Sequence, residues 1–244
     1  MREETEFRPK PLVEIGGRPI LWHIIKMYAQ YGFSDFILCL GYRGSMIREY
    51  FLSYEAMNHD FTLTIGARQG IEMHGKSEDS FSVTLAETGL ATMTGGRVRR
   101  AAKYLKDDDV FMLTYGDGVA DVDLRKLVDF HKQQGKLATV TVVRPTSRFG
   151  MLDVADSGLV TQFAEKPQSL NWASAGFFVL DRRVIDFLDD DECIFETGPL
   201  ERLVAAEQLV AYRHDGFFFA MDTYREYLYL NQLWDNNQAP WKSW

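Results

Sequence analysis

Between residues 19 and 31 the apolar positions fall on one helical face. Ile20, Leu21, Ile24, Ile25 and Tyr28 recur at intervals of three and four behind Pro19, which a first helical turn accepts, and predict a helix over about Ile20–Tyr31. Gly32 closes it. Asp35–Leu40 is then a short apolar run bounded by Gly41, the pattern of a buried strand. The alternation continues with a helix over Ser45–Tyr54, a strand over Ser80–Glu87, and a helix over Gly95–Leu105 that carries Arg97, Arg99, Arg100 and Lys103. A strand over Val110–Tyr115 runs into Gly116-Asp117-Gly118, and an amphipathic helix over Asp123–Gln134 precedes a β-branched strand at Leu137–Val143. Helices that alternate with strands in this way predict an α/β fold on a parallel or mixed sheet.

After Pro145 the texture changes to short β-like runs at Met151–Val154, Leu159–Ala164 and Ala175–Leu180, separated by Gly, Pro, Asn and Ser. The second half is therefore β-rich. Helices are predicted at Arg183–Leu188 and Leu200–Gln208, strands at Leu209–Tyr212 and Phe217–Ala220, and a last helix from Tyr224 to Trp234. No repeat, low-complexity tract or linker interrupts the chain, so residues 1–244 are expected to form one domain.

Composition narrows the function classes. With 35 acidic against 27 basic residues the net charge is −8, which argues against a nucleic-acid or anionic-membrane partner. The apolar runs are far too short for a membrane span, and the charged N-terminus is unlike a signal peptide. Two cysteines, Cys39 and Cys193, fit a reducing compartment, and the expected location is the cytoplasm.

The chemistry-bearing residues are scattered. Arg8-Pro9-Lys10-Pro11 holds two cations on a backbone stiffened by two prolines, which suits triphosphate binding as well as a solvated basic turn. Asp117 lies between two glycines at the carboxyl end of a strand, where α/β sheets bind ligands, and its carboxylate suits a hard cation such as Mg²⁺. A second carboxylate should accompany it. Asp222 in Met221-Asp222-Thr223 is the candidate, with the N-cap of the following helix as its alternative role. Thr94-Gly95-Gly96-Arg97 places two glycines at a helix start and predicts free N–H groups for a base or phosphate. Glu165-Lys166-Pro167 and Ser174-Ala175-Gly176 could line a polyol pocket or form surface turns. The five histidines show no metal-ligand spacing, and neither a G-x-G-x-x-G nor a Walker loop is present.

Taken in order, Arg8-Pro9-Lys10-Pro11, Val13-Glu14-Ile15-Gly16-Gly17-Arg18-Pro19-Ile20, Met93–Arg97, Tyr115–Gly118, Arg148-Phe149-Gly150, Glu165-Lys166-Pro167, Gly176–Val179 and Met221-Asp222-Thr223 resemble the sugar-1-phosphate nucleotidyltransferase family, above all its CTP-using branch. The resemblance implies a Rossmann-like mixed, mostly parallel sheet flanked by helices. It also implies a Mg²⁺-dependent in-line reaction of CTP with α-D-glucose 1-phosphate that gives CDP-glucose and pyrophosphate, in a homo-oligomer serving surface-polysaccharide synthesis. Carried over motif by motif, Lys10, Asp117 and Asp222 would be catalytic, with Asp117 and Asp222 as the metal ligands. Lys10, Thr94, Arg97 and Gly116 would meet the nucleotide, and Gly150, Glu165, Lys166 and Gly176 the sugar. Another nucleotide, another hexose 1-phosphate, or a non-catalytic sugar-phosphate binder are the alternatives.

Two departures stand out. The family begins with an apolar strand and a Gly-Gly-x-Gly-x-Arg loop, for which this chain has no counterpart ahead of Arg8; the expectation is a truncated start, with Met1 an internal methionine. Ser174 stands where the family often has asparagine, which offers the sugar one hydroxyl in place of an amide.

Overall fold

The computed structural model describes residues 7–66, 70–75, 79–147 and 149–244. Two-residue strands β1 (Glu14–Ile15) and β2 (Arg18–Pro19) pair antiparallel across Gly16-Gly17. Gly16 has φ of 58° and a Cβ there would run into the Trp234 ring, so the turn and its packing both require glycine. Helix α1 (Ile20–Ala29) follows directly and buries the predicted stripe together with His23 and Met27. Strand β3 (Asp35–Leu40), helices α2 (Gly44–Leu52) and α3 (Tyr54–Asn58), and strands β4 (Asp60–Thr64), β5 (Gly70–His74) and β6 (Ser82–Glu87) come next. Then follow α4 (Thr94–Ala101), β7 (Val110–Leu113), β8 (Gly118–Ala120), α5 (Leu124–Gln134) and β9 (Ala138–Val143). The second half contains β10 (Met151–Val154), β11 (Val160–Ala164), β12 (Ala173–Asp181), α6 (Pro199–Ala205), β13 (Leu209–Arg213), β14 (Phe218–Ala220) and α7 (Tyr224–Asp235).

The main sheet has the order β13-β9-β12-β7. β13 is parallel to β9, while β12 runs against both β9 and β7, so three strands point one way and one is reversed. The β-branched run in β9 is buried at every position, as a strand covered on both faces requires. β3 and β6 form a separate parallel pair. Phe36 of β3 and Val110 and Met112 of β7 pack on one core, which also holds Ile20, Ile24, Phe177, Val179 and Trp241. The predicted mixed α/β architecture is what the chain adopts. Among the described residues no helix is long and apolar enough to cross a membrane.

Several elements differ from the sequence reading. The predicted helix at Arg183–Leu188 is a 3₁₀ turn over Arg182–Phe187, too short to repay α-helix nucleation and held at its start by the Asp181 carboxylate on the Arg183 N–H. The antiparallel hairpin β4–β5 was not foreseen. Every residue of β4 is exposed, so no buried face marked it as a strand. The three-residue β8 likewise escaped, although it turns out to place the central acid.

Candidate active site

Three short elements bring Lys10, Asp117 and Asp222 together. Lys10 opens a 3₁₀ turn, Lys10–Leu12, entered from Pro9 and closed by hydrogen bonds from the Leu12 N–H to the Pro9 carbonyl and from the Val13 N–H to the Lys10 carbonyl. The two prolines around Lys10 restrict the backbone on which the ammonium is carried. Asp117 immediately precedes β8, which pairs antiparallel with β14 in the register Ala120 to Phe218, Val119 to Phe219 and Gly118 to Ala220. Extending that ladder by one residue sets Asp117 opposite Met221, whose N–H donates to the Asp117 carbonyl at 2.9 Å. The next residue is Asp222. Two acids that lie 105 positions apart are thus brought to one end of one ladder.

The Lys10 ammonium donates to the Asp117 Oδ2 at 2.6 Å and to the Asp222 Oδ1 at 2.6 Å. Burial alone would lower the Lys10 pKa, but the hydrogen bonds and charges of the two carboxylates outweigh it and hold the pKa above its ordinary value. Gly116 is pressed against the same segment: a Cβ there would lie 3.0 Å from the Pro11 ring. Asp222 is not the helix cap. Thr223 takes that place, accepting from the Glu226 N–H, while the Glu226 carboxylate accepts from the Thr223 and Asp222 N–H groups in a capping box. The Asp222 carboxylate is therefore released from capping and faces Lys10.

Two carboxylates converging on one point supply the oxygen donors that Mg²⁺ takes from a protein when substrate phosphates complete its shell, and Asp117 and Asp222 fit it on that ground. Among the described residues no group of three or more His, Cys, Asp or Glu side chains forms a closed metal cage.

The Thr94–Arg97 segment departs from expectation. Its glycine N–H groups are not free, because Gly95 and Gly96 both donate to the Cys193 carbonyl, at 2.8 and 3.2 Å. The glycines are there for close approach: a Cβ on Gly95 would lie 2.6 Å from the Cys193 Sγ, and one on Gly96 2.8 Å from the Asp190 carbonyl oxygen. The Thr94 hydroxyl donates to Glu196 at 2.8 Å and accepts from the Phe195 N–H at 2.9 Å. The Arg97 guanidinium donates to the Leu40 carbonyl, the Thr88 hydroxyl and the Leu90 carbonyl, bracing the carboxyl end of β3. Thr94 connects to the Lys10 centre through Glu196 and Tyr115, whose hydroxyl donates to Glu196, two residues before Asp117.

The sugar candidates fall in two places, Gly150, Glu165 and Lys166 in one and Gly176 in the other. Gly150 lies against Glu165: a Cβ there would come within 3.3 Å of Oε2 of Glu165 and 2.8 Å of the Phe163 ring. Lys166, with φ of 45°, sits 3.6 Å from Glu165. Arg148 lies outside the described residues. Gly176, with φ of 73°, is packed under the Tyr115 ring at the point where β12 loses register with β9. Nothing in the local sequence marks Glu196, one of several acids in the 190–198 loop and without a motif around it.

A carboxylate pair bridged by a lysine thus lies where α/β sheets bind ligands, and the chain belongs to the nucleotidyl transferase family, whose model matches residues 4–217. Over 245 aligned positions it is 48% identical to glucose-1-phosphate cytidylyltransferase of Salmonella typhi and 44% identical to the probable glucose-1-phosphate cytidylyltransferase of Bacillus subtilis, with 100% of this chain and 95% of each relative covered. UTP-bound UGPase from Acinetobacter baumannii has the same fold, with a TM-score of 0.63 at 17% identity over 94% of this chain and 87% of that one.

Proposed function

We propose that the chain transfers a cytidylyl group from CTP to α-D-glucose 1-phosphate, forming CDP-glucose and pyrophosphate. The observation that carries this reading is the Lys10 ammonium at 2.6 Å from both Asp117 and Asp222, in a chain 48% identical to a glucose-1-phosphate cytidylyltransferase. Both reactants are anions, so the protein's task is to hold them in line and offset their charge. A sugar-phosphate oxygen attacks the α-phosphorus of CTP, the bond to the β-phosphate oxygen breaks, and pyrophosphate carries away the electron pair. No covalent enzyme intermediate is needed.

In this reading Lys10 turns its ammonium to the phosphate oxygens, and Asp117 and Asp222 hold Mg²⁺. Held there by the two carboxylates, Mg²⁺ would supply positive charge to offset that of the phosphates. Gly150, Glu165, Lys166 and Gly176 receive the sugar. Thr94 and Arg97 shape the nucleotide side by fixing the loops around it. The chain works as one domain in the cytoplasm and as a homo-oligomer, for which the exposed apolar side chains of Phe149, Met151, Leu152, Val160 and Phe163 supply a surface.

A pyrophosphate-release assay with glucose 1-phosphate against CTP, UTP, dTTP and GTP tests the assignment. The assay is run on the 244-residue chain. The result expected is turnover with CTP about tenfold or more above the others. Equal rates with all four, or turnover with UTP alone, would overturn the nucleotide assignment.

A further inference from the structure

We infer that Glu196 is a positioning residue for the sugar phosphate, acting through Tyr115; the inference rests on the reading of the active site given above. Glu196 lies in the loop before α6 and is half-buried. A carboxylate only accepts, and here each oxygen takes one hydroxyl: Oε2 accepts from Thr94 at 2.8 Å and Oε1 accepts from Tyr115. One side chain thus ties the start of α4 to the strand end that carries Asp117.

What Tyr115 does with its other side gives this tie a consequence. Its ring lies over Gly176, where a Cβ would come within 2.9 Å of the ring, and meets Phe178 edge-on at 6.3 Å between centroids. Beneath the ring β12 is irregular: its register against β9 shifts on both sides of Gly176, and Gly176 and Phe177 have φ of 73° and 47°. A left-handed phenylalanine is a costly conformation that the surroundings must impose, and bulges of this kind re-aim a strand beside a site. The Tyr115 ring fills the notch the bulge leaves. Glu196 fixes that ring at its hydroxyl end, Gly176 bounds it at its face, and Asp117 follows two residues on. The wall that a hexose would meet beside the metal-binding acid is therefore set by a carboxylate that need not touch the substrate itself.

The experiment measures KM and kcat for both substrates, and melting temperature, in the full chain carrying Glu196→Ala, Glu196→Gln, Tyr115→Phe and the Glu196→Ala/Tyr115→Phe pair. The expected result is a KM for glucose 1-phosphate raised about tenfold in Glu196→Ala, with KM for CTP and kcat moved less than about threefold. Glu196→Gln, whose amide oxygen still accepts a hydroxyl, recovers most of that loss. The double variant is no worse than the worse single, because both remove one link. An unchanged KM for glucose 1-phosphate, an additive double variant, or a glutamine variant as impaired as alanine would overturn the inference while leaving the active-site reading in place. A wild-type chain that releases no pyrophosphate from CTP and glucose 1-phosphate would overturn the reading and the inference together.

Discussion

At the residue scale the site depends on a division of labour between Asp222 and Thr223. Thr223 and Glu226 satisfy the first turn of α7 in a capping box, so the neighbouring carboxylate is free to face Lys10. From the sequence, a cap and a ligand were equally reasonable roles for Asp222, because an acid before a helix looks the same in both cases. The separation predicts different phenotypes at the helix cap and at the ammonium group. Thr223→Ala should cost about 1 kcal/mol of stability in urea titration and leave kcat within about twofold. Lys10→Met should lower kcat by about a hundredfold or more, since in the proposed reaction its charge acts on the reacting phosphates, and should also lower the melting temperature, because Asp117 and Asp222 lose the cation they share. A Lys10→Met enzyme with normal kcat would make that ammonium a partner of the two acids and nothing more.

At the element scale, the start of α4 shows how one sequence feature supports two readings. Two glycines at a helix start promise free N–H groups, and in this fold they serve instead to let the 190–193 backbone dock within reach of those N–H groups. The docked backbone is distant in sequence, which is why the local pattern could not reveal it. Gly95→Ala should therefore destabilise the chain by about 1–3 kcal/mol through the clash with Cys193, measured as a lower urea midpoint. Wild-type stability in that variant would show that the loop is not seated on α4.

The same contrast governs which elements could be read in advance. Helix α1 and strand β9 were legible because each presents a buried stripe or run with its own period, and β3 and β7 because their runs are continuously apolar, although β3 is buried only at Leu40 and β7 is half-buried throughout. The exposed hairpin β4–β5 carries Phe61 and Leu63 against Thr62 and Thr64, yet with no covered face its alternation has no packing to enforce it. Strand β8 is three residues long, and only its pairing with β14 gives it meaning. Lys10, Asp117 and Asp222 could be named because turn chemistry and strand ends mark them. Glu196 carries no local mark, since its partners Thr94 and Tyr115 come from other parts of the chain.

On the scale of the whole molecule, the chain's end is bound to its beginning through His23. This imidazole is fully buried, accepts from Trp241 at 3.3 Å, lies 2.9 Å from the Ile15 carbonyl, and is ringed by Trp22, Trp234, Trp241 and Trp244. The C-terminal aromatics are thus mostly core, with Trp241 wholly inaccessible. Burial, aided by the charges of Arg18 and Lys242 and opposed by the hydrogen bond to Ile15, pushes the His23 pKa down to about 4. An ordinary histidine in the unfolded chain titrates near 6.5, so between pH 6.5 and 4 the unfolded state binds the extra proton. The stabilisation is fully present above pH 6.5 and is lost progressively as the pH falls towards 4, by about 3 kcal/mol. Urea midpoints between pH 7.5 and 4.5 check this against His23→Phe, in which the His23 part of the slope disappears. An identical slope in both proteins would show that the imidazole does not titrate in this way.

In the proposed function nucleotidyl transfer takes place where Asp117, Asp222 and Lys10 converge. The most direct measurement is pyrophosphate release from CTP and glucose 1-phosphate by the wild type, Asp117→Asn and Asp222→Asn, with Mg²⁺ and with excess EDTA, alongside melting temperatures. The account predicts turnover by the wild type that EDTA abolishes, and at least about a hundredfold loss of kcat in each variant with the fold retained. Wild-type turnover in either asparagine variant, or turnover indifferent to EDTA, would contradict it.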